Sequence, residues 1–135
     1  MLTPVDNAEA SPSAPAPFEI ARRELDARTS VISVEGDLDL SSAPRLKWML
    51  LDAFGEGLDQ LILDLSRTSF MDSTALGVLV AFKRSLDSDS ALAVVCPGDN
   101  VRKIFELSGM DRVFPIFAGL TDAVAHAQGR VAQAG

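Results

Sequence analysis

Apolar and polar residues alternate along residues 18–25 (FEIARREL) and 30–36 (SVISVEG), the period-two pattern of strands with one buried face. Asp26, Ala27, Arg28 and Thr29 lie between them, so the pair is expected to form an antiparallel hairpin. The period changes from Ser42 to Glu56. There Ala43, Leu46, Leu50, Ala53 and Phe54 recur at helical spacing, Pro44 suits a first helical turn, and Gly55 and Gly57 end the run. Leu61, Ile62, Leu63, Asp64 and Leu65 read as a short strand in a sheet centre, buried on both faces.

A second helix is predicted over Ser73–Leu86, apolar nearly all round as far as Phe82 and then charged at Lys83 and Arg84. Residues 90–96 (SALAVVC) form the next strand, stopped by Pro97 and Gly98. A third helix over residues 99–108 puts Val101, Ile104, Phe105 and Ser108 on one face, with Gly109 as its C-terminal cap. A short strand over Arg112–Phe117 and a last helix over Thr121–Gln128 complete the pattern. The order is β-β-α-β-α-β-α-β-α. Helices between successive strands require parallel pairing through right-handed crossovers, and the opening hairpin adds an antiparallel pair. The fold class is therefore α/β, with a mixed sheet that begins in an N-terminal hairpin and otherwise alternates strands and helices.

Composition adds boundaries and exclusions. Four of the seven prolines fall in residues 1–17, among Ala and Ser with no apolar period, so this stretch is expected to be a disordered lead. Residues 18–127 are expected to form one domain, and residues 128–135 a flexible C-terminus. Twelve Lys and Arg against nineteen Asp and Glu give a net charge of −7, which disfavours nucleic acid and anionic membrane surfaces as partners. No apolar run reaches the roughly 20 residues that span a bilayer. A basic region followed by an apolar one is missing from the N-terminus, so no secretory signal is read and a cytoplasmic location is expected. The single Cys96 and single His126 leave no disulfide, no metal site and no catalytic dyad to be expected, and the chain reads as a non-enzyme without a cofactor.

The most unusual stretch runs from Asp64 to Leu79: it leaves a buried strand, crosses a hydroxyl-rich loop and enters a buried helix through Asp72, Ser73 and Thr74. Asp72 suits the N-cap of that helix, its carboxylate accepting from free backbone N–H groups, and capping alone accounts for the triplet. The same place also fits a phosphorylation switch. A helix N-terminus tolerates a phosphate, and a seryl phosphate adds about −1.5 to −2 charges near neutral pH, changing the surface field without unfolding the domain.

Phe70 through Leu79, FMDSTALGVL, resembles the signature F-x-D-S-S/T-G-L-G-x-L of bacterial anti-sigma factor antagonists in the STAS-domain family. Two further blocks agree. Glu35-Gly36-Asp37-Leu38-Asp39 with Ala43 and Leu46 is similar to G-E/D-L-D-x-x-x-A-x-x-L, and Val101 to Met110 is similar to V-x-x-L-F-x-x-T/S-G-L. The resemblance implies a STAS fold and a protein that binds an anti-sigma serine kinase while unphosphorylated, so freeing a sigma factor. Phosphorylation at Ser73, with Thr74 as the alternative acceptor, would switch it off, and a serine phosphatase would reset it. Asp37, Asp39, Asp72, Ser73, Thr74 and Ala75 are the implied partner-binding residues. Capping and turn formation account equally for Asp37 and Asp39. Ala75 stands where the pattern has glycine, which places a methyl group in the expected path of the partner. The alternative within the family is a STAS scaffold, or an accessory subunit of a stress-signalling complex or membrane transporter, not regulated by phosphate.

Other classes fit less well. A serine hydrolase wants a G-x-S-x-G elbow and a histidine base, whereas Ser73 lies between Asp72 and Thr74. A receiver domain phosphorylated on Asp64 would begin β-α rather than with a hairpin. Trp48 lies off the apolar stripe of its helix and is a candidate partner anchor. Cys96 reads as a small buried hydrophobe and His126 as a surface residue.

Overall fold

The computed structural model describes residues 17–56, 59–86 and 91–134. Five strands, β1 (Glu19–Glu24), β2 (Thr29–Leu38), β3 (Gln60–Met71), β4 (Ala91–Val95) and β5 (Ile116–Phe117), form one sheet in chain order. β1 pairs antiparallel with β2, and all later pairs are parallel. The helices are α1 (Ala43–Gly55), α2 (Ser73–Ser85), α3 (Asp99–Ser108) and α4 (Leu120–Ala134). This is the expected mixed sheet with an N-terminal hairpin. The expected lead falls on residues 1–16 apart from Pro17, outside the described residues.

The hairpin closes where polar residues interrupt the alternation. Asp26 Oδ1 accepts from the backbone N–H groups of Arg28 and Thr29, each at 2.8 Å, and so replaces the ladder through the turn. Along the strands the side-chain period of two then sorts residues between layers. Ile32, Val34, Leu61, Leu63, Leu65, Leu92 and Val94 meet Leu46, Leu50, Leu79, Phe82, Val101 and Phe105 from α1, α2 and α3. Val31, Ile62 and Val95 point the other way, against Ala123 and Ala127 of α4. The sheet is thus covered on both sides where its strands are apolar throughout, as parallel strands require.

Four expectations need correction. β3 does not stop at Leu65: it runs to Met71, paired with β4 over Gln60–Asp64 and thereafter with β2 alone among the described residues. The hydroxyls and Arg67 disguise the strand, but Thr68 is buried and its Oγ1 donates to the Val34 carbonyl at 3.0 Å. The strand expected over Arg112–Phe117 shrinks to β5, because Gly109 turns the chain at φ +78° into a 3-10 turn over Met110–Arg112. That turn buries Phe114 edge-on against Phe105. The last helix runs on to Ala134 instead of ending near Gln128, so the expected flexible C-terminus is helical over most of its length. Fourth, β2 extends to Leu38, two residues past Gly36.

That extension explains Gly36. Its φ is +99°, and a Cβ there would lie 2.8 Å from the carbonyl oxygen of Pro17. The strand register shifts on both sides of it, between Ser33 and Glu35 and between Gly36 and Asp37. A residue without a side chain lets β2 bend under the incoming chain. The ends of β2 and β3 are thereby carried beyond the rest of the sheet, where they hold the loops described next.

Candidate partner-binding site around Ser73

Two turns meet at the C-terminal ends of β2 and β3. The first joins β2 to α1. Asp39 Oδ1 accepts from Ser41 N–H at 3.0 Å, Ser41 Oγ at 2.8 Å and Ser42 N–H at 3.2 Å. Ser42 Oγ in turn donates to the carbonyl of Asp37 at 2.7 Å and accepts from Asp39 N–H at 2.9 Å. Hydrogen bonding, first from the Ser41 hydroxyl and then from the backbone N–H groups of Ser42 and Ser41, holds the Asp39 carboxyl below its ordinary pKa. Asp39 therefore builds the turn. Asp37 is half-buried, and its carboxylate makes no hydrogen bond or ion pair among the described residues.

The second turn joins β3 to α2. Asp72 is extended, at φ −108° and ψ −179°, and its Oδ1 accepts from Thr74 N–H at 2.9 Å and Ala75 N–H at 3.1 Å. This is the N-cap the sequence predicts. Asp72 N–H donates to the Leu38 carbonyl at 3.2 Å, which joins the two turns. Ser73 is the first residue of α2; it is exposed, and its hydroxyl makes no hydrogen bond among the described residues. Thr74 is exposed beside it.

The structure thus brings Asp37, Asp39, Asp72, Ser73 and Thr74 to one end of the domain. Ala75 is different. It has no exposed surface and belongs to the core beneath α2, so its methyl group faces inward and not toward the surface on which Ser73 and Thr74 lie. The third residue of the helix has turned inward, following the Asp72 cap.

Two exposed apolar residues that sequence reading does not name as partner-binding lie on the segments leading into this acidic end. Leu40, at the tip of the first turn, is 72% exposed, and Phe70, two residues before Asp72, is 49% exposed. Leu40 fits no helix or strand period, and that isolation is its only signal. Phe70 becomes legible once β3 continues, because Met71 faces the core and its neighbour must face out.

The remaining candidates lie elsewhere. Trp48 is 62% exposed on the outer side of α1. Cys96 is fully buried, and burial pushes its thiol pKa up. His126 is exposed on α4, its ring tilted against Phe117. Among the described residues no cluster of His, Cys, Asp or Glu is placed to hold a metal, and no helix is long and apolar enough to cross a membrane.

Similarity to known proteins agrees with this fold. Residues 21–123 match the family described as STAS domain. An anti-sigma-F factor antagonist of Mycobacterium tuberculosis is 29% identical over 100 residues, covering 74% of this chain and 82% of that protein. The crystal structure of an anti-sigma factor antagonist from Mycobacterium paratuberculosis superposes with a TM-score of 0.80 at 30% identity, covering 86% of this chain and 98% of the other. The fold also occurs in a sulfate transporter family protein from Wolinella succinogenes, with a TM-score of 0.69, 21% identity and coverage of 81% and 92%. The hairpin-led mixed sheet and the match over residues 21–123, nearly the whole described domain, lead to one conclusion: this chain belongs to the STAS domain family.

Proposed function

We propose that this protein is an anti-sigma factor antagonist switched by phosphate at Ser73. Unphosphorylated, it binds an anti-sigma serine kinase and so frees a sigma factor. In the switching step Ser73 Oγ attacks the γ-phosphorus of the ATP held by the kinase. The Oγ–P bond forms, the bond from that phosphorus to the β-phosphate oxygen breaks, ADP leaves, and a base of the kinase takes the hydroxyl proton. A serine phosphatase hydrolyses the ester and restores the binding form. The ATP belongs to the partner, and the STAS chain is a regulatory protein rather than an enzyme.

One observation carries this reading: Ser73 is the exposed first residue of a helix whose next N–H groups are already taken by Asp72. Those N–H groups are already satisfied, so a phosphate added to the exposed Ser73 hydroxyl projects from the surface. It lies beside Asp72 and near Asp37 and Asp39, where like charge repels like. The domain keeps its fold while the partner surface becomes strongly negative. That is the requirement for a switch read by a partner rather than by the protein itself.

The test incubates the chain with ATP and each anti-sigma kinase encoded in its source genome, then maps phosphate by mass spectrometry on wild type and Ser73→Ala. One phosphate on Ser73, absent from the variant and accompanied by release of the kinase, is the expected result. Phosphate on Thr74 would move the switch by one residue. Kinase binding without any phosphate would make the chain a constitutive antagonist. Should no kinase bind, the role gives way to that of a STAS scaffold or transporter accessory subunit.

A further inference from the structure

β1 is an edge strand with a free side. It pairs with β2, and among the described residues no strand pairs with its other edge. The β1–β2 register tells which groups that edge offers. Leu25 N–H donates to the Thr29 carbonyl at 2.9 Å, and the Arg23 carbonyl accepts from Ser30 Oγ at 3.1 Å. The odd-numbered residues therefore turn their backbone groups toward β2, and the N–H and C=O groups of Ile20 and Arg22 point outward. An edge of this kind accepts another strand unless its side chains prevent it.

Two charges on this strand lack a partner. Glu19 and Arg23 are exposed on the same face of β1, and neither side chain makes a hydrogen bond or ion pair among the described residues. They are about 13 Å apart along the strand, too far to meet each other. Glu19 lies instead directly opposite Glu35, whose own cation is Arg67 at 3.7 Å. Like charges so placed destabilise a sheet. Arg23 lies opposite Val31, which offers it nothing. Arg22, on the other face, is already held by Glu24 and Glu56.

We propose that β1 pairs antiparallel with β1 of a second copy, centred on Ala21, and joins two five-stranded sheets into one. The strand's own sequence, read backwards, selects this occupant and this register. A two-fold at Arg22 or Arg23 would set like charges face to face, and one at Ile20 would leave Glu19 opposite Ala21 and Arg23 opposite Pro17. At Ala21, Glu19 of each copy meets Arg23 of the other, with the two small Ala21 side chains between the pairs. Ile20 of one copy then exchanges backbone hydrogen bonds with Arg22 of the other, as their outward groups require. Each Glu19 gains the cation it lacks, and Glu35 keeps Arg67. Because the strands are antiparallel, the two Ser73 sites lie at opposite ends of the pair, and neither hinders the other. The inference does not depend on the antagonist reading.

Sedimentation velocity of the full-length chain over a wide concentration range is the test, and a reversible dimer is the expected result. Glu19→Arg and Arg23→Glu should each weaken association about tenfold, since each turns two exposed ion pairs into two repulsions. Mixed in equal amounts, these two variants should associate as wild type does, because every contact again joins opposite charges. The double variant E19R/R23E should do the same. Both positions are exposed, so cooperative thermal unfolding by circular dichroism should persist in every variant. In amide hydrogen exchange by NMR, Ile20 and Arg22 should gain protection as concentration rises, whereas Ala21 and Arg23, already turned to β2, should not change. A chain that stays monomeric at every concentration overturns the proposal. So does a dimer in which the mixture associates no more tightly than either single variant. Protection of Ile20 and Arg22 that does not vary with concentration puts another part of the same chain on the edge, and overturns it as well.

Discussion

The backbone N–H of Asp72 donates to the carbonyl of Leu38 at 3.2 Å, tying the last residue of β2 to the residue that caps α2. Through this bond the Asp39 turn and the Ser73 helix start are held as one unit. The same residue uses its carboxylate on Thr74 and Ala75. Cap and charge can therefore be separated by substitution. Asp72→Ala is expected to cost about 0.5–2 kcal/mol, the usual value of an N-cap. Asp72→Asn, also a good cap, should lose only a small part of that range while removing one negative charge. Urea denaturation of both variants checks the stabilities. If the carboxylate is a partner contact, Asp72→Asn weakens kinase binding despite its nearly normal stability.

Ala75→Gly restores the glycine of the family pattern at a buried position. The change removes a helix-favouring residue, worth about 1 kcal/mol, and a buried methyl group, worth about 0.8 kcal/mol. A loss of about 1–2 kcal/mol is expected in chemical denaturation. Because the methyl faces the core, the rate of Ser73 phosphorylation should stay within about twofold of wild type. A large gain in rate would show that the partner reads this position after all.

The contrast between Ala75 and Phe70 shows what is legible in the sequence. Periodicity reveals the hairpin, the first three helices and the capped start of α2, since each rests on local pattern and on one dominant apolar face. The outer half of β3 escapes it because its partners are distant: Thr68 is buried by the Val34 carbonyl, and no neighbour in sequence reveals that bond. β5 fails for a related reason. Phe114 looks like a strand residue, yet the αL turn at Gly109 delivers it into the core from a 3-10 turn. Ser73 stands out through its signature, and its exposure follows from Asp72. That Ala75 points inward emerges only when the helix is placed on the sheet.

Gly36 makes a sharper stability prediction. Its φ is +99°, and the carbonyl oxygen of Pro17 lies only 2.8 Å from where a Cβ would sit, so an L-residue must strain both its own backbone and the entering chain. Gly36→Ala is expected to cost about 2 kcal/mol or more. The midpoint of thermal unfolding would show this, and a neutral result would mean both that the chain at Pro17 and Phe18 moves aside and that β2 relaxes its backbone at residue 36.

Acid should loosen the Asp39 turn. The folded carboxyl has a pKa below its ordinary value, chiefly through the Ser41 hydroxyl. Its contribution is therefore fully present above the unfolded value of about 3.9 and is lost as pH falls through the folded one. Asp26 is depressed in the same sense, first by the backbone N–H of Arg28, and adds to the same window. Urea midpoints measured downward from about pH 5 should fall less steeply for Asp39→Asn than for wild type. An unchanged slope would place the acid sensitivity in other carboxylates.

Leu40 and Phe70 are exposed on the two chain segments that lead into α1 and α2, and neither belongs to the core cluster. Leu40→Ser should change stability by no more than about 0.5 kcal/mol, and Phe70→Ser, which removes a half-covered ring, by about 1–2 kcal/mol. Apolar side chains at the centre of an interface carry much of its affinity, whereas those at a wet rim carry little. If the partner covers the Ser73 end, the double variant should bind the anti-sigma kinase at least tenfold more weakly, and Ser73 should be phosphorylated more slowly at limiting kinase. Raising the kinase concentration should recover the rate, because the acceptor hydroxyl and its Asp72 cap are untouched. Failure to recover would mean that these side chains position Ser73 rather than hold the partner.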